Sequence, residues 1–397
     1  MKILLKQNVK DAAYERFERL FNDFENVVVG FSGGKDSTCV LNIALEVAEK
    51  LDRLPLSVLF IDQEAEWKGT VDYVSEVMHD KRVKPYWFQM PMVITNNASS
   101  YNRYSHCWNE QKKDKWIHPK SELAITENKY GTDRFHDLFE KIFRVEFADK
   151  RSCYVSGVRT EESPKRFVAL THAITYQDIT WGKVLNKKLD HYTFYPIYDW
   201  SYTDVWKYIN ENDFSYNKIY DEMYKNGVKV NDMRISNLHH ETAIQNLLLV
   251  QEIEPETWNR IVDRVDGASS IKHMKSDSFK CPKELPYMFE TWKEYAEHLS
   301  NNIIQDNENK DKLQKVIDKE IILYTNEEAI DDFYKEIIKT ILSSDWDFTK
   351  LKNWTMSGNI YSYKKYLKGK RDMNILRATK YLSNSQIQEI IDYNEKN

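Results

Sequence analysis

Val27-Val28-Val29-Gly30-Phe31-Ser32-Gly33-Gly34-Lys35-Asp36-Ser37 is the stretch on which the reading of this chain turns. A short β-branched run passes into a glycine-rich turn. Apolar residues then recur at Val40, Ala44, Val47, Ala48 and Leu51, which reads as strand, loop and helix. A glycine turn between a strand's end and a helix's first turn aims backbone N–H groups outward, where the helix dipole favours negative charge, so phosphate is its natural ligand. Gly33 and Gly34 permit close approach, Ser32 and Ser37 supply hydroxyls, Lys35 supplies a point charge, and Asp36 is placed to cap the helix. The loop is not a Walker A motif, whose first glycine would fall on Val29 and whose lysine is followed by Ser or Thr rather than Asp36.

Outward from the loop the alternation continues. Residues 57–61 read as a second buried strand one crossover away, residues 67–78 as a helix, and 84–89 as a strand. Further strands at 154–158 and 193–197 complete an α/β fold, an open, mostly parallel sheet of about five strands flanked by helices. The pattern stops at 91–134, where Asn96, Asn97, Ser99, Ser100 and Asn102 lead into Trp108, Lys112, Lys113, Lys115 and Trp116. This reads as an insertion at the sheet's rim, followed by an amphipathic helix at 135–147. After Tyr216 only helical periodicity persists, at 241–250, 285–299, 314–322, 327–341 and 385–393, with 301–312 as a polar linker. A nucleotide-binding domain at 1–220 and a helical region at 221–397 are expected.

Composition narrows the function classes. With 41% hydrophobic and 30% charged residues and a net charge of −5, the chain is neither disordered nor uniformly cationic. No apolar run approaches the roughly 20 residues of a membrane span, and the N-terminus turns polar too soon for a signal peptide, so a cytoplasmic location without membrane attachment is expected. Cys39, Cys107, Cys153 and Cys281 are too far apart for a C-x-x-C pair. His106-Cys107 and His239-His240 offer no spaced metal set, so neither zinc nor an iron–sulfur cluster is expected.

Ligands of open parallel sheets lie beyond the carboxyl ends of the strands. Asp62 stands there, suited to a ribose hydroxyl or to Mg²⁺, while Glu64 and Glu66 read more readily as a solvated acidic loop. Gly157-Val158-Arg159-Thr160-Glu161-Glu162-Ser163-Pro164-Lys165-Arg166 closes another strand, and its two arginines suit a bidentate grip on an oxyanion. Ser201 or Thr203 is placed to open a helix carrying Val205, Trp206 and Ile209, with Trp200 and Trp206 as core residues.

Ser32-Gly33-Gly34-Lys35-Asp36-Ser37 resembles the SGGKDS signature of the PP-loop superfamily. Gly157, Arg159, Glu162, Ser163 and Arg166 resemble the G-x-R-x-x-E-S-x-x-R signature of its phosphoadenosine-phosphosulfate (PAPS) reductase branch. Pro196-Ile197-Tyr198-Asp199-Trp200, Asp204-Val205-Trp206 and Tyr216-Asn217 resemble further segments of that branch. The resemblance covers about residues 20–220. It implies an adenine nucleotide alpha hydrolase-like sheet with ATP or PAPS as ligand and Mg²⁺ beside it. Lys35, Asp62 and Arg159 would act in catalysis, and the loop residues 32–37 with Asp62, Gly157, Arg159 and Arg166 would bind the nucleotide. Residues 108–119, Met233-Arg234-Ile235-Ser236, residues 253–258 and Cys281-Pro282-Lys283 look like the IbrA-like subgroup, which implies a ParB/sulfiredoxin-like partner.

The chain departs from the branch where chemistry is concerned. It lacks the E-C-G-x-H segment whose thiolate attacks sulfur, and it lacks a cysteine-rich loop. The reading therefore moves to the α-phosphate of ATP, as pyrophosphatase or adenylyl transferase in the manner of FAD synthetase. A PAPS-binding sulfotransferase or reductase and a non-catalytic nucleotide-sensing regulatory or defence module are the alternatives. The basic, tyrosine-bearing segment 364–380 suits nucleic acid or an acidic partner, set against a plain charged helix face.

Overall fold

The structure is a computed structural model and describes residues 5–96, 99, 102, 104–235, 238, 244–269, 281–304, 306–321, 327–343, 345–346, 348 and 351. The expected helix at 385–393, the basic segment 364–380 and His239-His240 lie outside the described residues. The chain forms two units, one of residues 1–95 and 104–265 and the other of residues 96–103 and 266–397.

The first unit runs α1 (Val9–Asp23), β1 (Asn26–Gly30), α2 (Lys35–Lys50), β2 (Leu56–Ile61), α3 (Lys68–Met78), β3 (Val83–Phe88), β4 (Met92–Thr95), β5 (Tyr104–Cys107) and β6 (Ala124–Ile125). It continues with α4 (Phe135–Glu146), β7 (Ser152–Val155), α5 (Pro164–Thr171), β8 (Gly182–Asn186), β9 (His191–Phe194), α6 (Tyr202–Glu211), α7 (Ile219–Lys225), α8 (Ile244–Ile253) and α9 (Pro255–Arg264). Seven strands form one sheet in the order β6-β3-β2-β1-β7-β9-β8, parallel except for β8 against β9. The five expected strands are its central members. Two edge strands escaped the reading because β6 has only two residues and β8 carries Lys183 and an exposed Val184, the polar dress of an edge rather than a buried run.

β1 shows why the sheet is covered on both faces. Side chains alternate along a strand, so Val27 and Val29 join a cluster with Phe17 of α1, Val40 of α2 and Val205 of α6. Val28 joins a second cluster with Leu138, Ile142 and Phe143 of α4. β2 repeats the pattern, with Val58 and Phe60 in the first cluster and Leu59 in the second. A strand with apolar side chains directed to both faces is what a doubly covered parallel sheet demands.

The insertion at 91–134 is more than a rim loop. β4 and β5 pair antiparallel, and β6 joins the main sheet beside β3. The fully buried Trp108 donates its indole N–H to the carbonyl of Asp62 at 2.7 Å. Trp108 and Glu64 both have left-handed backbone, at φ 56° and 68°, a conformation that costs about 1–3 kcal/mol per non-glycine residue. The two are tied together, Trp108 N–H donating to Glu64 Oε2 at 2.6 Å, and Arg264 of α9 grips Glu64 with Nε at 2.6 Å and Nη2 at 2.9 Å.

In the second unit α10 (Trp292–Ile303), α11 (Asn307–Glu320) and α12 (Glu327–Leu342) enclose a core around Trp292, Leu299, Phe333 and Ile337. The polar linker expected at 301–312 is instead the end of α10 and the start of α11, capped by Asp306, whose side chain accepts from Glu308 N. Residues 307–312 of α11 carry no apolar side chain, so the helical pattern shows in the sequence only from Leu313, Val316 and Ile317 onward.

Removing one member of a buried ion pair leaves the other uncompensated, at a cost of about 3–5 kcal/mol. Arg264→Ala should lower stability by that order in urea denaturation. An unchanged midpoint would show that the Glu64–Arg264 pair does not hold the insertion and α9 to the end of β2.

Candidate functional site

The turn after β1 meets α2 without a side-chain cap. Gly33 takes φ +70°, and Gly34, the N-cap, offers no side chain to the first-turn N–H groups of α2, of which that of Lys35 is taken by the Tyr220 hydroxyl. Asp36 is therefore not the cap that the sequence suggested. It lies within the first turn, and its carboxylate meets Arg159 Nε at 2.5 Å and Lys35 Nζ at 3.4 Å. The hydroxyls of the loop hold its own backbone: Ser32 N–H donates to Ser37 Oγ at 3.3 Å, and Ser37 Oγ donates to the carbonyl of Gly34 at 2.9 Å. What the loop leaves open is a helix N-terminus with uncapped donors, which favours an anion.

Gly157, just beyond β7, lies directly on this loop. A Cβ there would stand 2.8 Å from the carbonyl carbon and 3.0 Å from the carbonyl oxygen of Asp36, so only glycine fits. Arg159 is buried and held by Asp36, by Glu161 at 3.1 Å and by the carbonyl of Trp200 at 3.3 Å. Arg166, in the first turn of α5 behind the Ser163 cap, is half-exposed and paired with Glu162. Loop, Gly157, Arg159 and Arg166 all line one crevice of about 1040 Å³ at the carboxyl end of the sheet.

Asp62 does not line that crevice. It is wholly buried, and its carboxylate accepts from Glu64 N at 2.9 Å, Gln89 Nε2 at 2.8 Å and Trp87 Nε1 at 3.1 Å, with His118 Nε2 at 3.4 Å. Burial would raise its pKa, but the charge and contact of His118 with the Gln89 amide and Glu64 N–H hold it below the usual carboxylate range. His118 moves the other way: burial lowers it, and the Asp62 carboxylate more than restores it. With these partners in place, Asp62 has no open face for a ribose or for Mg²⁺. Glu66, read from sequence as solvated, is buried and lines the crevice; burial first and the charge of Asp62 second push it up to about 8. Among the described residues no group of three or more His, Cys, Asp and Glu side chains could hold a metal ion, and no described helix is long and apolar enough to cross a membrane.

Three further contacts were not read from the sequence. The Tyr220 hydroxyl accepts from Lys35 N at 3.1 Å, Lys35 Nζ donates to the carbonyl of Met233 at 3.1 Å, and Asn217 Nδ2 donates to Gly33 O at 3.3 Å. Asn217 lay inside a quoted segment, whereas Tyr220 sits in an ordinary helical pattern that carries no mark of the loop above it.

The phosphoadenosine phosphosulfate reductase domain model matches residues 26–226, half of the chain. The chain belongs to that family. Residues 227–390 match a domain of unknown function (DUF3440). Among similar proteins, an uncharacterized protein of Escherichia coli (strain K12), YbdN, is 32% identical over 280 residues, 68% of this chain and 68% of that one. An uncharacterized protein of Methanocaldococcus jannaschii is 26% identical over 248 residues, 62% of this chain and 49% of that one. The phosphoadenylyl-sulfate reductase of Candida auris, solved as a phosphate complex, aligns at TM-score 0.32 and 16% identity over 60% of this chain and 99% of that one.

The raised Glu66 has a direct consequence for stability. Its folded pKa, about 8, lies above its ordinary value of 4.5, so the folded protein holds the proton more tightly, and the stability this confers is present at low pH and lost as pH rises between those values. Chemical denaturation of the parent and of Glu66→Gln at pH 5, 6, 7 and 8 should show the parent losing ground steadily to the variant, Asp62 and His118 being common to both. Parallel profiles would contradict a buried, proton-holding Glu66.

Proposed function

We propose that this crevice binds an adenine nucleotide by its phosphates and acts at the α-phosphate of ATP, releasing pyrophosphate, rather than reducing a sulfonucleotide through a thiol. The observation that carries the reading is the uncapped start of α2 with Lys35 buried beside it, locked to the Gly157–Arg159 strand end. In this reading an acceptor oxygen forms a bond to the α-phosphorus while the bond to the bridging oxygen of the β-phosphate breaks. The loop N–H groups and Lys35 hold the departing pyrophosphate. Such a step depends on positioning and charge stabilisation more than on a covalent intermediate.

The cysteines support the choice. Burial pushes the thiols of Cys39, Cys107 and Cys153 well above their ordinary value, and Cys281 is also raised by burial. A nucleophilic cysteine needs the opposite shift. Glu66, a crevice carboxyl that exchanges its proton near neutrality, suits the removal of a proton from the acceptor. Magnesium bound by the phosphates would neutralise their charge, held by phosphate oxygens and water; the saturated Asp62 does not fit as its ligand. Within the family we place the chain with the IbrA-like subgroup, on residues 108–119 and 233–236, and with it propose a ParB/sulfiredoxin-like partner.

Lys35→Ala removes a charge-assisted phosphate contact and should weaken ATP binding roughly ten- to a hundredfold by calorimetry. Incubation of the parent with ATP and candidate acceptors should yield AMP or an adenylylated product together with pyrophosphate. Unchanged ATP affinity in a folded Lys35→Ala protein would overturn the assignment of the loop. Sulfite release from PAPS and a thiol reductant, abolished by replacing Cys107, Cys153 and Cys281 together, would restore the reductase.

A further inference from the structure

The loop is covered from an unexpected direction. Residues 231–235 lie past the end of the matched reductase domain at residue 226 and inside the region matched by the domain of unknown function. Asn231, Asp232, Arg234 and Ile235 nonetheless line the same crevice as Lys35, Arg159 and Arg166, and the segment belongs to the same structural unit.

Two contacts pin this strap to the loop. Lys35 Nζ donates to the carbonyl of Met233 at 3.1 Å. One residue beyond Arg234, the backbone N–H of Ile235 donates to the Tyr220 hydroxyl, which also accepts from the backbone N–H of Lys35. Ile235 Cγ1 stands 3.7 Å from the position a Cβ would take on Gly34. Arg234 is thus held between two residues in contact with the start of α2, and it lines the crevice.

We propose that Arg234 is a phosphate-binding residue of this site, gripping the pyrophosphate end of a nucleotide together with the loop, so that the 26–226 domain forms a complete site only with the strap that follows it. The inference rests on the nucleotide reading above and extends it to a residue outside the reductase domain. A guanidinium fork matches two phosphate oxygens at once, complementing the single point charge of Lys35. The charge distribution agrees. Lys35 is held below its ordinary pKa by burial first, with Arg159 and Arg234 adding to the effect, and Arg166 is lowered by burial and then by Arg234. Arg234 thereby adds a cation to a crevice in which Lys35, Arg159 and Arg166 are met by Asp36, Glu161 and Glu162.

The test titrates ATP, AMP and inorganic pyrophosphate against the full-length parent, Arg234→Ala, Arg234→Lys and Lys35→Ala. Arg234→Ala should weaken ATP and pyrophosphate roughly ten- to a hundredfold and leave AMP little changed, and Arg234→Lys should recover part of the loss because the charge returns without the fork. If Arg234→Ala binds ATP and pyrophosphate as the parent does while Lys35→Ala is impaired, the inference fails and the nucleotide reading stands. An equal loss for AMP and ATP would also overturn it, placing Arg234 at the nucleoside or in the fold. If the parent binds neither ATP nor pyrophosphate, or Lys35→Ala matches the parent, the nucleotide reading falls and takes the inference with it.

Discussion

The approach of Gly157 to the backbone of Asp36 constrains everything at the carboxyl end of the sheet. At 2.8 Å from a carbonyl carbon there is no room for a methyl group, so the strand end after β7 and the loop after β1 are held as one surface. β1 and β7 are neighbours, in register from Asn26–Ser152 to Val29–Val155, and the contact carries that register past the end of hydrogen bonding. Arg159, two residues on, can then reach Asp36 at 2.5 Å. A bulkier residue at 157 would separate the two halves of the crevice before any charge was altered.

A second constraint sits at the end of β2, where Asp62, Glu64 and Glu66 are all buried. Three carboxyls cannot all be buried as charges without compensation, and the structure resolves the problem differently for each. Asp62 is satisfied by three hydrogen bonds and His118, Glu64 by Arg264 and the N–H of Trp108, and Glu66 by holding its proton. The partners come from β3, the insertion and α9. The carboxyl whose pKa is pushed up toward neutrality is the one that lines the crevice.

This distribution explains what could be read from the sequence. The glycine-rich loop, the central strands and the Gly157–Arg166 segment are local patterns: a β-branched run, a glycine turn, a helix period, two arginines at a strand end. Each is set by physics acting over a few residues, so each was legible. The setting of Asp62 was not: its place at the end of β2 suggested a ribose or Mg²⁺, and Glu64 and Glu66 looked solvated, because Trp108, His118 and Arg264 arrive from 46, 56 and about 200 positions away. The Asp36 cap failed for a related reason. A local cap was available, but Arg159, distant in sequence, offered a full charge where the helix offered only a partial one, and the carboxylate turned to it.

The crevice differs from a bare basic cleft in that its cations arrive already paired: Arg159 with Asp36 and Glu161, Arg166 with Glu162, Lys35 with Asp36. Buried arginines without counter-charges would weaken the empty fold, whereas pairing lets the site stay assembled without a ligand. The same pairing raises the standard an anion must meet. A singly charged anion offers a guanidinium little more than the carboxylate it already has, while a di- or triphosphate presents several oxygens to the helix N-terminus and to more than one cation at once. Under the nucleotide reading proposed above, discrimination would follow from the number of phosphates, and the positions that set it would be those where a cation faces the first turn of α2.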